Sequence, residues 1–486
     1  MVKVRDANGA EAPLLQGDGK LAPLSDDSHP FWVGPALSVY QNAGGPNTNW
    51  SEYETHRNHL GQPVIEGGDR CGKSTNFWEY YEADIERAVS LNSTCFRLSL
   101  EWGRIEPQKG CFDAAAVQHY HKIFDCLLRN KLEPVVTLHH FVQPLWFDAL
   151  GGFTTDAGIP HFVSFATFAV REFGAKVKVW ATFNEANVMG FCGWLWGQFP
   201  PGRFARFKTA GRHLLTCLRA HGAAYIAIKC LPGGADMRVG IVHNHMAYAA
   251  KDPDGFSIRW VQPVIDWLDR VWGTAEVVRY FHTGRFCWRT PPLCGGAVEA
   301  ADAPPGLDWV GLNYYGRSCI DWRYESTCRP GDVMTDMPLA LYPQGLYDGI
   351  VAVAELGVPI YITETGIADA KGDRRAVFLD TYVAQIERAV GDGYDVRGLM
   401  IWTLIDNFEW ARGFHIKFGW YAWSPGDGAK RVARPATRLL ASLFAELPGR
   451  MAGLRTKAPG ALNGKPAAAV EVGLGAGAPV DVGAAQ

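Results

Sequence analysis

Two glutamates in this sequence stand where a glutamate needs a reason to be. Glu185 follows the run Lys178-Val-Trp-Ala-Thr-Phe-Asn184, rich in aromatic and β-favouring residues, and Asn187 lies just beyond it. Glu364 ends the apolar run Val358-Pro-Ile-Tyr-Ile-Thr363 and is followed by the turn Thr365-Gly366. Both runs suit buried strands. A carboxylate at the inner end of a buried strand costs free energy unless it is paired or used. Two of them, far apart in sequence and alike in local pattern, are what an enzyme working with paired carboxylates requires.

Bringing them together falls to the rest of the chain, which alternates strand and helix patterns. Phe31–Gln41 is a first apolar run, and Phe77–Leu91 has helical periodicity. A strand over Thr94–Leu100 carries Arg97 in an otherwise apolar run. It is followed by a helix over Ala115–Leu128, a strand over Leu132–Leu138 ending in His139 and His140, a helix over Pro160–Phe173, and the strand to Glu185. The second half repeats the pattern: a helix over Ala210–Lys229, a strand over Met237–His243, a less clear helical region, a strand over Leu307–Tyr315, and a helix over Gly345–Glu355 before the strand to Glu364. Helix Arg374–Val390, strand Val396–Leu404 and helix Pro435–Leu447 close the series. Eight strand-then-helix units imply an all-parallel sheet. The expected fold class is α/β, a single (β/α)8 TIM barrel with extended βα loops, over residues 30–447. An open doubly wound sheet is the runner-up. Residues 1–29 read as a polar N-terminal extension, and 448–486 as a low-complexity, disordered tail. In that tail, Gly473-Leu-Gly-Ala-Gly477 follows no strand and opens no helix, so it is not read as a dinucleotide loop.

Composition narrows the function. A formal net charge of -3 argues against a dedicated nucleic-acid surface, which needs a clustered basic excess. The first twenty residues lack the apolar core of a secretory signal, and no apolar run is long enough to span a bilayer. Eleven cysteines form no CxxC pair, and the spacing of Cys287 and Cys294 is a poor match to a metal or disulfide site. Reduced thiols, a cytoplasmic location and no metal or cofactor are the expectations. Eighteen tryptophans suit either a large aromatic core or a carbohydrate cleft, where sugar faces stack on indoles. The oligomeric state is left open.

In a barrel, the C-terminal ends of the strands build the active site. The residues at those ends are Gln41, Arg97, His140, Asn184, Glu185, Asn313, Tyr315, Glu364 and Trp402. Each has a structural explanation taken singly: a satisfied core histidine, an internal ion pair, a tyrosine bonded to backbone. Collected at one rim, they suit acetal hydrolysis, in which two carboxyl groups flank a glycosidic bond and serve as acid and nucleophile. Arg97 and the Tyr315 hydroxyl could hold Glu364 ionised, while Glu185 stays protonated and later acts as base. Asn184 is placed by sequence to bond a sugar hydroxyl beside the reacting carbon.

These residues resemble family 1 of the glycoside hydrolases, the β-glucosidase and β-galactosidase group. That family's Thr-Phe-Asn-Glu-Pro appears as Thr182-Phe-Asn-Glu185-Ala186, and its (Ile/Val)-Thr-Glu-Asn-Gly as Ile362-Thr-Glu364-Thr365-Gly366. Phe96-Arg97 through Trp102-Gly-Arg104-Ile-Glu-Pro107, Gly311-Leu-Asn313-Tyr-Tyr315 and Trp402 through Asp406-Asn-Phe-Glu409-Trp410 match three further blocks in the family's order. The resemblance implies a small-molecule β-glycoside substrate, Glu185 as acid/base and Glu364 as nucleophile of a retaining mechanism. It also implies that Gln41, His140, Asn184, Glu409 and Trp410 bind sugar hydroxyls, with Trp402 stacked beneath. A carboxylate at Glu409 implies an unphosphorylated sugar, because it would repel phosphate.

The chain departs from the family at Ala186 for proline, Thr365 for asparagine, Phe141 for tryptophan, and Ala43 for the glutamate two residues after Gln41. None of these removes a candidate catalytic carboxylate. Two alternatives share the architecture: a transglycosidase using the same intermediate, and a sugar-binding barrel without catalysis, against which the two intact glutamates argue.

Overall fold

The structure, a computed structural model, describes residues 30–272, 274–290 and 296–456. Eight strands form the centre: β1 (Trp32–Ala36), β2 (Cys95–Ser99), β3 (Glu133–His139), β4 (Val179–Asn184), β5 (Arg238–Ala250), β6 (Trp309–Ile320), β7 (Ile360–Thr365) and β8 (Val396–Trp402). Each pairs in parallel with the next, and β8 pairs with β1, so the sheet closes on itself. The open-sheet alternative is excluded by that closure.

Two apolar layers explain why these runs are hydrophobic on both faces. Inside the barrel, Cys95, Val135, Val179, Ala181, Val242 and Met400 pack against one another. Trp32, Trp309 and Tyr361, from the starts of their strands, plug the lower end with ring centroids 5.4 and 5.6 Å apart. Outside, the strands' other faces meet the helices, whose apolar stripes recur at helical spacing. In Ala114–Arg129 that stripe is Val117, Tyr120, Ile123, Phe124 and Leu127, and Asp113 caps the helix by accepting from Ala115 and Ala116 N–H.

Three features differ from the sequence expectation. Strands β5 and β6 run on together past the barrel to the pair Ala250–Ile320, where Ser326–Thr327 adds a short antiparallel strand. The stretch between them holds helices Ile258–Val271 and Thr274–Thr283 and a hairpin of Arg285–Arg289 with Ala297–Ala301, where the sequence offered only an unclear helical pattern. The closing helix is Thr437–Arg455, not ending at Leu447: Leu440, Phe444, Leu447 and Met451 continue one buried stripe across Pro448. The expected N-terminal extension, the remainder of the expected tail and Cys294 lie outside the described residues.

Candidate active site

Both glutamates sit at irregularities of the barrel. The register between β4 and β5 shifts between Ala181 and Asn184, and that between β6 and β7 shifts between Ile362 and Glu364. Such shifts re-aim the next side chain, here toward the barrel mouth. Glu185 then takes a left-handed backbone (φ 46°) before the helix Ala186–Trp194 begins. For a residue with a Cβ this conformation costs on the order of 1–3 kcal/mol, and the Glu185 N–H bond to Val242 O (2.9 Å) helps hold it there.

The two carboxyl groups are buried in contrasting surroundings. Glu364 is ion-paired with Arg97 and accepts from Tyr315 Oη at 2.6 Å. Among the described residues the donors to the Glu185 carboxyl group are amides, Asn313 Nδ2 at 2.7 Å and Asn244 Nδ2 at 2.9 Å, both to Oε1. Burial first, and the neighbouring Glu364 charge second, push the Glu185 carboxyl up to about 8, so it keeps its proton at neutral pH. One network ties the pair. Arg97 Nη2 donates to Asn184 Oδ1 at 2.6 Å, Asn313 Nδ2 also reaches that oxygen at 3.2 Å, and Thr363 Oγ1 donates to Asn313 Oδ1 at 2.7 Å.

The remaining residues named from the sequence surround this core. Gln41 lies in a short helix, Val39–Ala43, beyond the end of β1. Its Nε2 donates to Phe408 O at 2.9 Å and Glu409 Oε2 at 3.3 Å, leaving Oε1 buried and without a partner among the described residues. Burial and Glu364 push the Glu409 carboxyl to about 8. His140 lies near parallel to both Trp402 and Trp410, at 5.9 and 6.1 Å, and its Nε2 is 3.3 Å from Asn184 Nδ2. Burial and the Arg97 charge hold the His140 ring well below its ordinary value, hence neutral. Trp410 adopts φ 50° and stacks on Tyr40 at 6.2 Å.

Asn244 is a neighbour of the candidate site that sequence reasoning missed. It lies on the part of β5 that extends past His243, and Trp272 Nε1 donates to its Oδ1 at 3.2 Å, which turns its amide N–H groups toward Glu185. Asn244, between His243 and His245 at the end of an apolar strand, was the local signal of one inward polar residue.

A closed parallel barrel with two buried glutamates, one beside an arginine and one among amides, defines a glycoside hydrolase architecture. The family follows from comparison with known proteins. The sequence model of glycosyl hydrolase family 1 matches residues 28–446, and the chain belongs to that family. It is 28% identical over 461 residues to a β-galactosidase of Pyrococcus woesei, covering 77% of this chain and 87% of that protein. It is likewise 28% identical to β-glucosidase 33 of Arabidopsis thaliana, covering 85% of this chain and 76% of that one. Among solved structures, the β-glycosidase from Pyrococcus horikoshii superposes with a TM-score of 0.72 at 27% identity, covering 88% and 96% of the two chains. The family 1 β-glucosidase from Thermotoga maritima, at 23% identity and a TM-score of 0.75 over 85% and 97% of the two chains, shares the fold.

Proposed function

We propose that the protein hydrolyses unphosphorylated β-D-glucosides and β-D-galactosides from the chain end, with retention, by double displacement. The observation that carries this reading is the contrast between the two buried glutamates: Glu364 is paired with Arg97 and bonded by Tyr315, while Glu185, raised to about 8, accepts from the Asn313 and Asn244 amides.

In the first step the Glu364 carboxylate attacks the anomeric carbon as the glycosidic C–O bond breaks. Glu185 transfers its proton to the departing oxygen. The product is a glycosyl ester on Glu364, which has lost its charge. One of the two causes that raised Glu185 disappears with that charge, so its acidity increases when it must act as a base. In the second step Glu185 takes a proton from water, the water oxygen attacks the anomeric carbon from the opposite face, and Glu364 leaves as carboxylate toward Arg97 and the Tyr315 hydroxyl. Asn184, held by Arg97, and His140 beside it present polar groups to the sugar, and Gln41 with Glu409 forms a second polar edge. The names of the Pyrococcus and Arabidopsis relatives support glucosides and galactosides as substrates. Glu409, bonded by Gln41 and raised to about 8, can donate to or accept from a ring hydroxyl, which supports an unphosphorylated ring.

The test is turnover of chromogenic β-glucoside, β-galactoside and β-mannoside by the purified protein, with NMR of the first-formed sugar. The β anomer should appear first and then mutarotate. An α anomer formed first would sink the double displacement, and a folded sample inert to all three would remove the hydrolytic reading in favour of a binding protein.

A further inference from the structure

The hydrogen bond from Asn244 to Glu185 is held by two residues that take no part in the chemistry above. A side-chain amide has one donating and one accepting end, and it can turn over. Which end meets Glu185 is decided by Trp272, which follows the helix Ile258–Val271 outside the barrel strands. Its Nε1 donates to Asn244 Oδ1 at 3.2 Å, so Nδ2 is the end that reaches Glu185 Oε1, at 2.9 Å. The Trp272 ring is buried among Phe191, Trp196 and Tyr248, with centroids 4.5, 5.6 and 6.2 Å away, and its N–H therefore has a fixed direction. Asn187, two residues after Glu185, completes the arrangement. It is buried, and its Nδ2 donates to the main-chain oxygens of Asn244 at 3.1 Å and Trp272 at 3.2 Å.

The direction of the Asn244 amide matters to proton transfer. Among the described residues both donors to Glu185, from Asn313 and Asn244, reach Oε1, so the proton of the acid belongs on Oε2. A reversed Asn244 amide would offer its oxygen to Oε1, draw the proton there, and cease to stabilise the carboxylate. We propose that Trp272 and Asn187 are positioning residues of the hydrolysis. They keep the Asn244 N–H on Glu185 Oε1, and so fix where the acid carries its proton and how readily it gives that proton up. The inference rests on Glu185 being the acid of a glycosidase. The charged and titratable groups around Glu185 are Glu364 on β7, Arg97 on β2, Tyr315 on β6, Glu409 after β8 and Cys192 on the helix Ala186–Trp194. Among the described residues none of them bonds to the Trp272 indole or the Asn187 amide, so replacing either leaves those groups in place.

The test is the pH profile of kcat/KM for Trp272→Phe and Asn187→Ala, each alone and combined with Asn244→Leu, with melting temperatures confirming that the variants are folded. Trp272→Phe keeps an aromatic ring and removes the N–H. Its alkaline limb should move up by about one pH unit, and that of Asn187→Ala by less. In the Asn244→Leu background neither should move the limb further, because the amide they orient is gone. For alkyl glycosides, whose leaving group needs the proton, kcat should fall several-fold in Trp272→Phe, with little change for dinitrophenyl glycosides. A limb that stays in place in both folded variants, or that moves equally with and without Asn244, overturns the proposal. So does a loss of activity at all pH values without displacement of the limb, which marks a purely structural role. Should Trp272→Phe not fold, Asn187→Ala and its double variant carry the same comparison. Infrared difference titration of the Glu185 carboxyl, each protein against its Glu185→Gln counterpart, separates the two readings. If no glycoside is turned over, the glycosidase reading fails, while the Glu185 carboxyl should still titrate higher in Trp272→Phe than in wild type.

Discussion

Glu185 and Glu364 are the same residue type in opposite surroundings, and their difference yields two predictions at the scale of single side chains. Glu185→Ala should lower kcat for substrates with poor leaving groups by about 10²–10⁴-fold. Substrates with good leaving groups should still form the ester, and added azide should accelerate their turnover by attacking it. Azide rescue of Glu364→Ala to retained product, with none for Glu185→Ala, would reverse the two roles. The second prediction concerns pH. Because the Glu185 carboxyl is raised to about 8, its protonated form persists through neutrality, and kcat/KM should fall as pH rises through about 8. The Asn244 amide favours the charged form, so Asn244→Leu should shift that alkaline limb upward. A limb that stays in place would assign it to another group.

At the scale of elements, the ends of β7 and β8 approach more closely than a side chain permits. A Cβ on Gly366 would lie 2.0 Å from Trp402 O, so Gly366→Ala should destabilise the protein by about 2 kcal/mol in chemical denaturation. A neutral substitution would show that these strand ends yield freely. The junction after β4 gives the opposite expectation. Ala186 is the first residue of its helix, where a proline costs no hydrogen bond. Ala186→Pro should therefore stabilise by about 0.4–1 kcal/mol through the unfolded chain. Destabilisation would mean that the left-handed Glu185 does not tolerate a following proline.

At the scale of the whole molecule, a buried carboxyl group outside the candidate site, that of Glu101, couples stability to pH. Glu101 is buried against Gly45, its Oε1 has no partner among the described residues, and burial pushes it to about 8 despite the nearby Arg104. The folded state thus keeps a proton that the unfolded chain releases near the ordinary 4.5, so Glu101 makes stability fall as pH rises from there to about 8. Glu101→Gln should remove that decline and gain on wild type by on the order of 4 kcal/mol at pH 9 relative to pH 5. Parallel stability–pH curves for the two proteins would refute a buried neutral Glu101.

What the sequence determined by itself was the alternation of elements and the two glutamates. Apolar periods and strand-ending polar residues are local signals, and burial on both faces of a parallel strand writes itself into consecutive residues such as Ile360-Tyr-Ile. The family motifs Thr182–Glu185 and Ile362–Glu364 were legible for the same reason: each lies within one short stretch. Three features were decided only by the tertiary structure. Asn244 acquires its place beside Glu185 because β5 runs on past the barrel in partnership with β6, a pairing with no local signature. The left-handed turn at Glu185 is held by Val242 on the next strand. The opposing environments of two chemically identical carboxyl groups exist because barrel closure brings Arg97, from β2, to Glu364, on β7, and sets amides around Glu185. Burial and charge at a distance set a proton affinity, and neither is a property of the residue's own neighbours in sequence.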